Sequence, residues 1–232
     1  MKNVCFIGAY DKLDLILYIS KIIKNLKKKV LIIDATTLQK ARYIVPAINP
    51  TKSYMTSYED IDIAIGFESY EDIEKYIGLT EGQKMHYDYA LVNVDDANLF
   101  KNFNNQDTIK NYFVTNLDLY SIRKGLEVIK QIEKPIKITK LIFSREINEE
   151  DDYYLDYLAL GYKIIWEDEK INFPYNTEDL EVMMENQKVF KIKTKGLSQQ
   201  YKEDLEYIMT DIIPDINLVN LRRIMKNIEK EG

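Results

Sequence analysis

Five residues near the start of the chain, Gly8-Ala9-Tyr10-Asp11-Lys12, occupy the place where phosphate chemistry would be expected. They follow the apolar run Val4 to Ile7, and the stretch from about Asp11 to Lys28 has apolar residues at helical spacing: Leu13, Ile16, Leu17, Ile19, Ile23 and Leu26. A loop between a buried strand and a helix gathers backbone N–H groups and the positive end of the helix dipole, which together favour an anion. The side chains here work against that use. The loop has one glycine, no Gly-Lys-Ser/Thr ending and no hydroxyl to hold magnesium. Tyr10 is bulky for a tight backbone cradle. Asp11, the expected N-cap, and Asp14 bring carboxylates to the spot where a phosphate would rest. Lys12 is left either facing a phosphate or solvated.

Other reactive side chains are few. Cys5 lies inside Val4-Cys5-Phe6-Ile7 and reads as a small hydrophobe in a reducing compartment. A single histidine, His86, excludes a metal site built on several histidines and leaves one imidazole for any Ser-His or Cys-His pair. No metal centre and no catalytic residue is therefore expected. Tyr153, Tyr154 and Tyr157 share a helical stretch and serve either as a partner-binding face or as half-buried packing.

The elements that would position these residues alternate. Buried strand patterns fall at Val4 to Gly8, Val30 to Asp34, Ile61 to Phe67, Tyr89 to Val94, Tyr112 to Thr115 and Ile138 to Phe143. Helical patterns fall between several of them, notably Tyr70 to Ile77 and Leu119 to Glu133, while the segment after Ala35 reads as irregular. Such alternation predicts a three-layer α/β/α sandwich with a mostly parallel, Rossmann-like sheet, because parallel strands need crossover connections. From Glu149 the pattern becomes a helix near Asp151 to Leu160 and short strands at Lys163–Trp166 and Lys170–Phe173. Helices follow over Thr177 to Asn186, Ser198 to Ile213 and Ile216 to Lys230. With 232 residues, 46% of them hydrophobic, and no linker or repeat, the expectation is one domain over 1–232.

The order of segments resembles the MinD/ParA family of P-loop ATPases, of the SIMIBI class, over most of the chain. Val30 to Asp34 resembles the family's second strand with its aspartate. Tyr87-Asp88-Tyr89-Ala90-Leu91-Val92-Asn93 is similar to the Walker B strand, with Asn93 where the family usually has Asp. Phe113 to Arg123 resembles the strand-turn-helix that carries the family's Ser and basic residue. Leu141 to Arg145 resembles the strand with an Asn-Arg element, and Phe173-Pro174-Tyr175-Asn176 the later base-proximal stretch. By this resemblance Asp34, Asn93 and Asp95 are the residual nucleotide or magnesium positions. Asp95 is two residues beyond Asn93 and would share its strand face. Asp34 is either such a residue or a structural acceptor at a strand end.

The phosphate loop and the Walker B carboxylate are both lost, so the resemblance implies a pseudo-ATPase without cofactor, the alternative being a divergent ATPase that binds ATP with Mg2+. Members with atypical nucleotide sites, of the TadZ and CpaE type, imply a dimeric scaffold that localises a membrane-associated assembly such as pilus or secretion machinery.

Net charge is -6, which sets the whole-protein field against a phosphate backbone; nucleic acid is disfavoured as a partner, and with it a DNA-partition role. No signal peptide is expected, nor a membrane span of about 18 apolar residues, so the expected place is the cytoplasm. The segment 216–230 adds peripheral contact with the inner face of the membrane as one reading. Arg222, Arg223 and Lys226 would face anionic lipid while Ile224 and Ile228 insert. The other reading is that this helix packs on the sheet.

Overall fold

The structure, a computed structural model, describes the chain except Asn49, Glu81, Gly82, residues 145–148 and Gly232. Among the described residues, eight strands form one sheet in the order β3-β4-β2-β5-β1-β6-β7-β8. The central five are β1 (Lys2–Ile7), β2 (Val30–Ala35), β5 (Tyr89–Val94), β6 (Thr108–Thr115) and β7 (Ile136–Ser144). They run parallel, because each pair is joined through a crossover that carries a helix. β2 and β5 are buried at every position, the signature of strands covered on both faces.

One sheet face carries Val4, Phe6, Ile32 and Leu91 and is covered by α1 (Leu13–Asn25), α8 (Gln199–Ile212) and α9 (Leu218–Glu231). The opposite face carries Cys5, Ile7, Ile33 and Val92. It meets α3 (Tyr70–Tyr76), α4 (Ala97–Phe103), α5 (Leu119–Ile129) and α6 (Glu149–Leu158). Strand alternation thus feeds two cores, and the result is the three-layer α/β/α sandwich expected.

Three departures from the expected elements have local causes. The segment after Ala35 holds a short helix, α2 (Ala41–Ile44), and then a hairpin of β3 (Tyr54–Tyr58) with β4 (Ile61–Ile65). Its turn residues Glu59 and Asp60 both have positive φ, 50° and 56°, as a two-residue hairpin turn of mirror-image type requires. No glycine marks that turn in the sequence. The two strands expected after Lys163 are one, β8 (Ile164–Pro174), whose register against β7 shifts between Ile138 and Lys140. The Glu167-Asp168-Glu169 run falls in that irregularity. Charge and a bulge on an edge strand both discourage further pairing. The first helix starts at Leu13 and ends at Asn25, with Lys27 turning the chain at φ 63°.

Candidate functional site

The carboxyl ends of β1, β2 and β5 bring the expected positions together. β1 passes into Gly8, whose N–H donates to Val94 O at 3.0 Å. Gly8 has φ +136°, and a Cβ there would lie 2.4 Å from Val114 O, so the close approach of β6 requires glycine. Tyr10 turns back and lays its ring against Phe143, with centroids 5.0 Å apart.

Lys12 is the N-cap of α1, displacing Asp11 from the expected place, and it makes no side-chain capping bond. Its ammonium instead turns back on the loop and donates to Gly8 O at 2.6 Å and Tyr10 O at 3.4 Å. The side chain is 3% exposed. Burial pulls its pKa down to about 8, against the pull of Asp95, Asp11 and Asp34 in the opposite direction. Lys12 is therefore not solvated: it lines the cleft beside Tyr10 with its ammonium held by the loop's own carbonyls.

The start of α1 is held by the chain's own carboxylates. Asp11 accepts from Leu13 N–H at 3.2 Å and pairs with Lys40. Asp14 accepts from Lys40 at 3.2 Å and from Gln187 Nε2 at 3.0 Å. Burial raises the Asp14 pKa, offset by Lys40 and Gln187. Beside these residues, between Tyr10, Phe143, Tyr175 and Met183, lies a cleft of about 90 Å3. Pockets that take a drug-sized ligand span about 300–1,000 Å3.

Asp34 and Asn93 stand side by side in the β2–β5 register. Both oxygens of Asp34 are occupied: one accepts from Thr36 Oγ1 at 2.6 Å and Thr36 N–H at 3.3 Å, the other from Ala41 N–H at 2.9 Å. Burial raises its pKa and those bonds oppose the rise. Asn93, 3% exposed, leaves its Oδ1 without a partner. Asp95 does not extend the strand face of Asn93, because β5 ends at Val94. It accepts instead from Thr37 N–H at 2.7 Å and Thr37 Oγ1 at 2.9 Å. The two aspartates thus pin the loop between β2 and α2 at both ends.

The remaining positions of the resemblance are structural contacts or lie elsewhere. Ser121 is buried against Thr115 Oγ1 at 2.6 Å, and Arg123 is exposed. Asn176 caps α7 (Thr177–Val189) through Asp179 N–H. Arg145 lies outside the described residues. Cys5 is buried, and burial pushes its thiol up to about 12. Sequence reasoning missed Lys40, Gln187, Thr36 and Thr37. The run Asp34-Ala35-Thr36 carried a signal for Thr36, since an aspartate two residues before a hydroxyl favours a side-chain turn; Gln187, 173 residues from Asp14, carried none.

Among the described residues, no cluster of three or more His, Cys, Asp or Glu is placed to hold a metal ion. No helix there is long and apolar enough to cross a membrane. The carboxyl-terminal helix corrects the lipid-inserting reading. Leu221 and Ile228 of α9 are buried in the core over α1 and α8, and Ile224 and Met225 pack against it. The residues expected to insert, Ile224 and Ile228, thus face the protein, while Leu218 and Val219 at the start of the helix are exposed; Arg222 pairs with Glu206, and Arg223 and Lys226 are exposed.

No protein-family model and no curated protein matches the sequence. Solved structures do match. A Borrelia burgdorferi B31 protein assigned to plasmid partition, bound to AMPPNP, aligns at TM-score 0.57 and 12% identity, over 93% of this chain and 99% of its own. The MinC:MinD cell division complex of Aquifex aeolicus aligns at 0.52 and 16%, over 94% and 99%. The ParA of pNOB8 aligns at 0.50 and 13%, over 97% and 99%.

These likenesses overturn one expectation. A plasmid-partition protein and a ParA share this fold, so the net charge of -6 does not set nucleic acid aside as a partner. Net charge describes the whole surface, whereas a phosphate backbone meets one patch of it. Over more than nine-tenths of its length the chain has the fold of the ParA and MinD ATPases.

Proposed function

We propose that this chain is a non-hydrolysing protein on the ParA/MinD fold, a pseudo-ATPase that acts as a scaffold or localisation factor. The observation that carries this reading is the position of Lys12. Its ammonium donates to Gly8 O and Tyr10 O, carbonyls of its own loop, and a phosphate would have to displace those bonds to reach it. Asp11, on the first free N–H of α1, does the work an anion would do there, and Lys40 neutralises it. Asp34 accepts from Thr36 and Ala41 with both oxygens, and Asp95 from Thr37 with one, Oδ1. Asn93 adds no charge.

The phosphate loop is thus an internal joint that ties β1 to α1. What the fold retains is a rigid sheet with two helical faces, suited to holding other molecules in place. A partner of either kind, protein or nucleic acid, fits this reading.

A second reading, a divergent ATP-binding protein, is favoured by the unpartnered Oδ1 of Asn93 at the end of β5. A phosphate-release assay with ATP and magnesium separates the two. The scaffold reading expects no turnover above the protein-free rate. Sustained turnover that disappears in Lys12→Met overturns it.

A further inference from the structure

At the opposite end of the sheet from Gly8 and Asp34, the amino ends of β2, β4 and β5 leave a pocket of about 450 Å3. Its apolar lining is Val30, Ile77, Leu79 and Met85, of which Val30 and Met85 are buried. Its rim is basic, with Lys24, Lys28, Lys29 and Lys84 and the single histidine of the chain, His86. Two carboxylates also reach it, of which Asp60 is neutralised by a lysine and Asp62 keeps its charge. Asp60 pairs with Lys24 at 2.8 Å, and Asp62 accepts from Tyr87 OH at 2.8 Å.

After those contacts, the ammonium groups of Lys28, Lys29 and Lys84 and the His86 ring have no hydrogen bond or ion pair among the described residues. Lys28 and Lys29 follow the end of α1, where positive charge is explained by the helix dipole. Lys84 and His86 are not so explained. They arrive on a different segment, the connection between α3 and β5, and converge on the same opening. Three unpaired lysines against the one uncompensated carboxylate of Asp62 focus positive potential locally on a chain of net charge -6.

We propose that this pocket binds a small phosphomonoester with an aromatic or apolar body. The volume lies within the range of ligand sites and exceeds what a bare phosphate would fill. The lysines suit the phosphate as point charges. The body lies on Ile77, Leu79 and Met85, and removal of that surface from water adds to affinity. The inference is independent of the reading of the phosphate loop, which lies at the other end of the strands.

The test is titration of the full chain with phenyl phosphate, inorganic phosphate and a short DNA duplex, followed by amide chemical shifts. Phenyl phosphate is expected to saturate, with shifts concentrated at residues 28–30 and 84–88, and to bind more tightly than inorganic phosphate. The double variant Lys28→Glu with Lys84→Glu is expected to weaken it about tenfold or more, the scale of one lost charge-assisted hydrogen bond. The double variant Lys130→Glu with Lys134→Glu, two exposed lysines elsewhere, leaves affinity unchanged and matches the change in net charge. All four lysines are exposed, so their replacement spares the core.

Four results overturn the proposal. They are no saturation by about 10 mM, equal affinity for phenyl and inorganic phosphate, shifts at residues 8–14 instead, or binding of the duplex alone. The last would make the rim a nucleic-acid contact.

Discussion

The ammonium of Lys12 donates to the carbonyl oxygen of Gly8 at 2.6 Å, so the one lysine of the loop closes on its one glycine. A cation kept 3% exposed in this way carries a desolvation cost that the nearby aspartates only partly offset.

That cost is visible as a pH dependence. The Lys12 pKa is about 8 in the folded chain against 10.5 for an ordinary lysine. Between those values the unfolded chain binds the proton more strongly, so stability rises with pH. From pH 7.5 to 9.5 the gain from this group is about 2 kcal/mol. Below the folded pKa the penalty is fully present. Lys12→Met removes the slope, which urea denaturation of both proteins at the two pH values measures. Parallel behaviour of the two proteins would refute the burial of this charge.

Asp34 is a structural acceptor in this account. Replacement by Asn leaves one nitrogen facing a donor, either Ala41 N–H or Thr36. Asp34→Asn is expected to lose about 1–3 kcal/mol, the cost of an unpaired buried group. Denaturant midpoints report it. An Asp34→Asn protein as stable as the parent that has lost affinity for ATP would assign the carboxylate to a nucleotide instead.

The alternation of strands and helices was legible because buried parallel strands such as Val30–Ala35 are continuous apolar runs. The β3–β4 hairpin was not, because Tyr54–Tyr58 is partly polar and its turn uses Glu59 and Asp60 in place of glycine. Helix α4 was missed too; its one sequence mark is Asp96, which caps it through Asn98 and Leu99 N–H. At the site, the loss of phosphate-binding residue types could be read from Gly8 to Asp14. What replaced the phosphate could not. Lys40 and Gln187 reach Asp14 from 26 and 173 residues away, and long-range partners of a carboxylate leave no local pattern.

The last helix is a second place where the structure decides between readings. Ile228 is 1% exposed, beneath α9 and against the core that α1 and α8 share. Ile228→Ala is expected to cost about 2–5 kcal/mol. Arg223→Glu, on the outer side, is expected to leave stability within about 0.5 kcal/mol of the parent. Thermal melts of the two variants compare them. Equal and small effects, together with sedimentation of the parent on anionic vesicles, would restore a lipid-facing helix.

The central claim, that the loop from Gly8 to Lys12 is a closed joint without a nucleotide, is tested most directly by calorimetric titration of the full chain with ATP and magnesium. The account predicts no heat of binding and no shift in melting temperature at about 1 mM ATP. Saturable binding in the micromolar range, weakened by Lys12→Met, would contradict it.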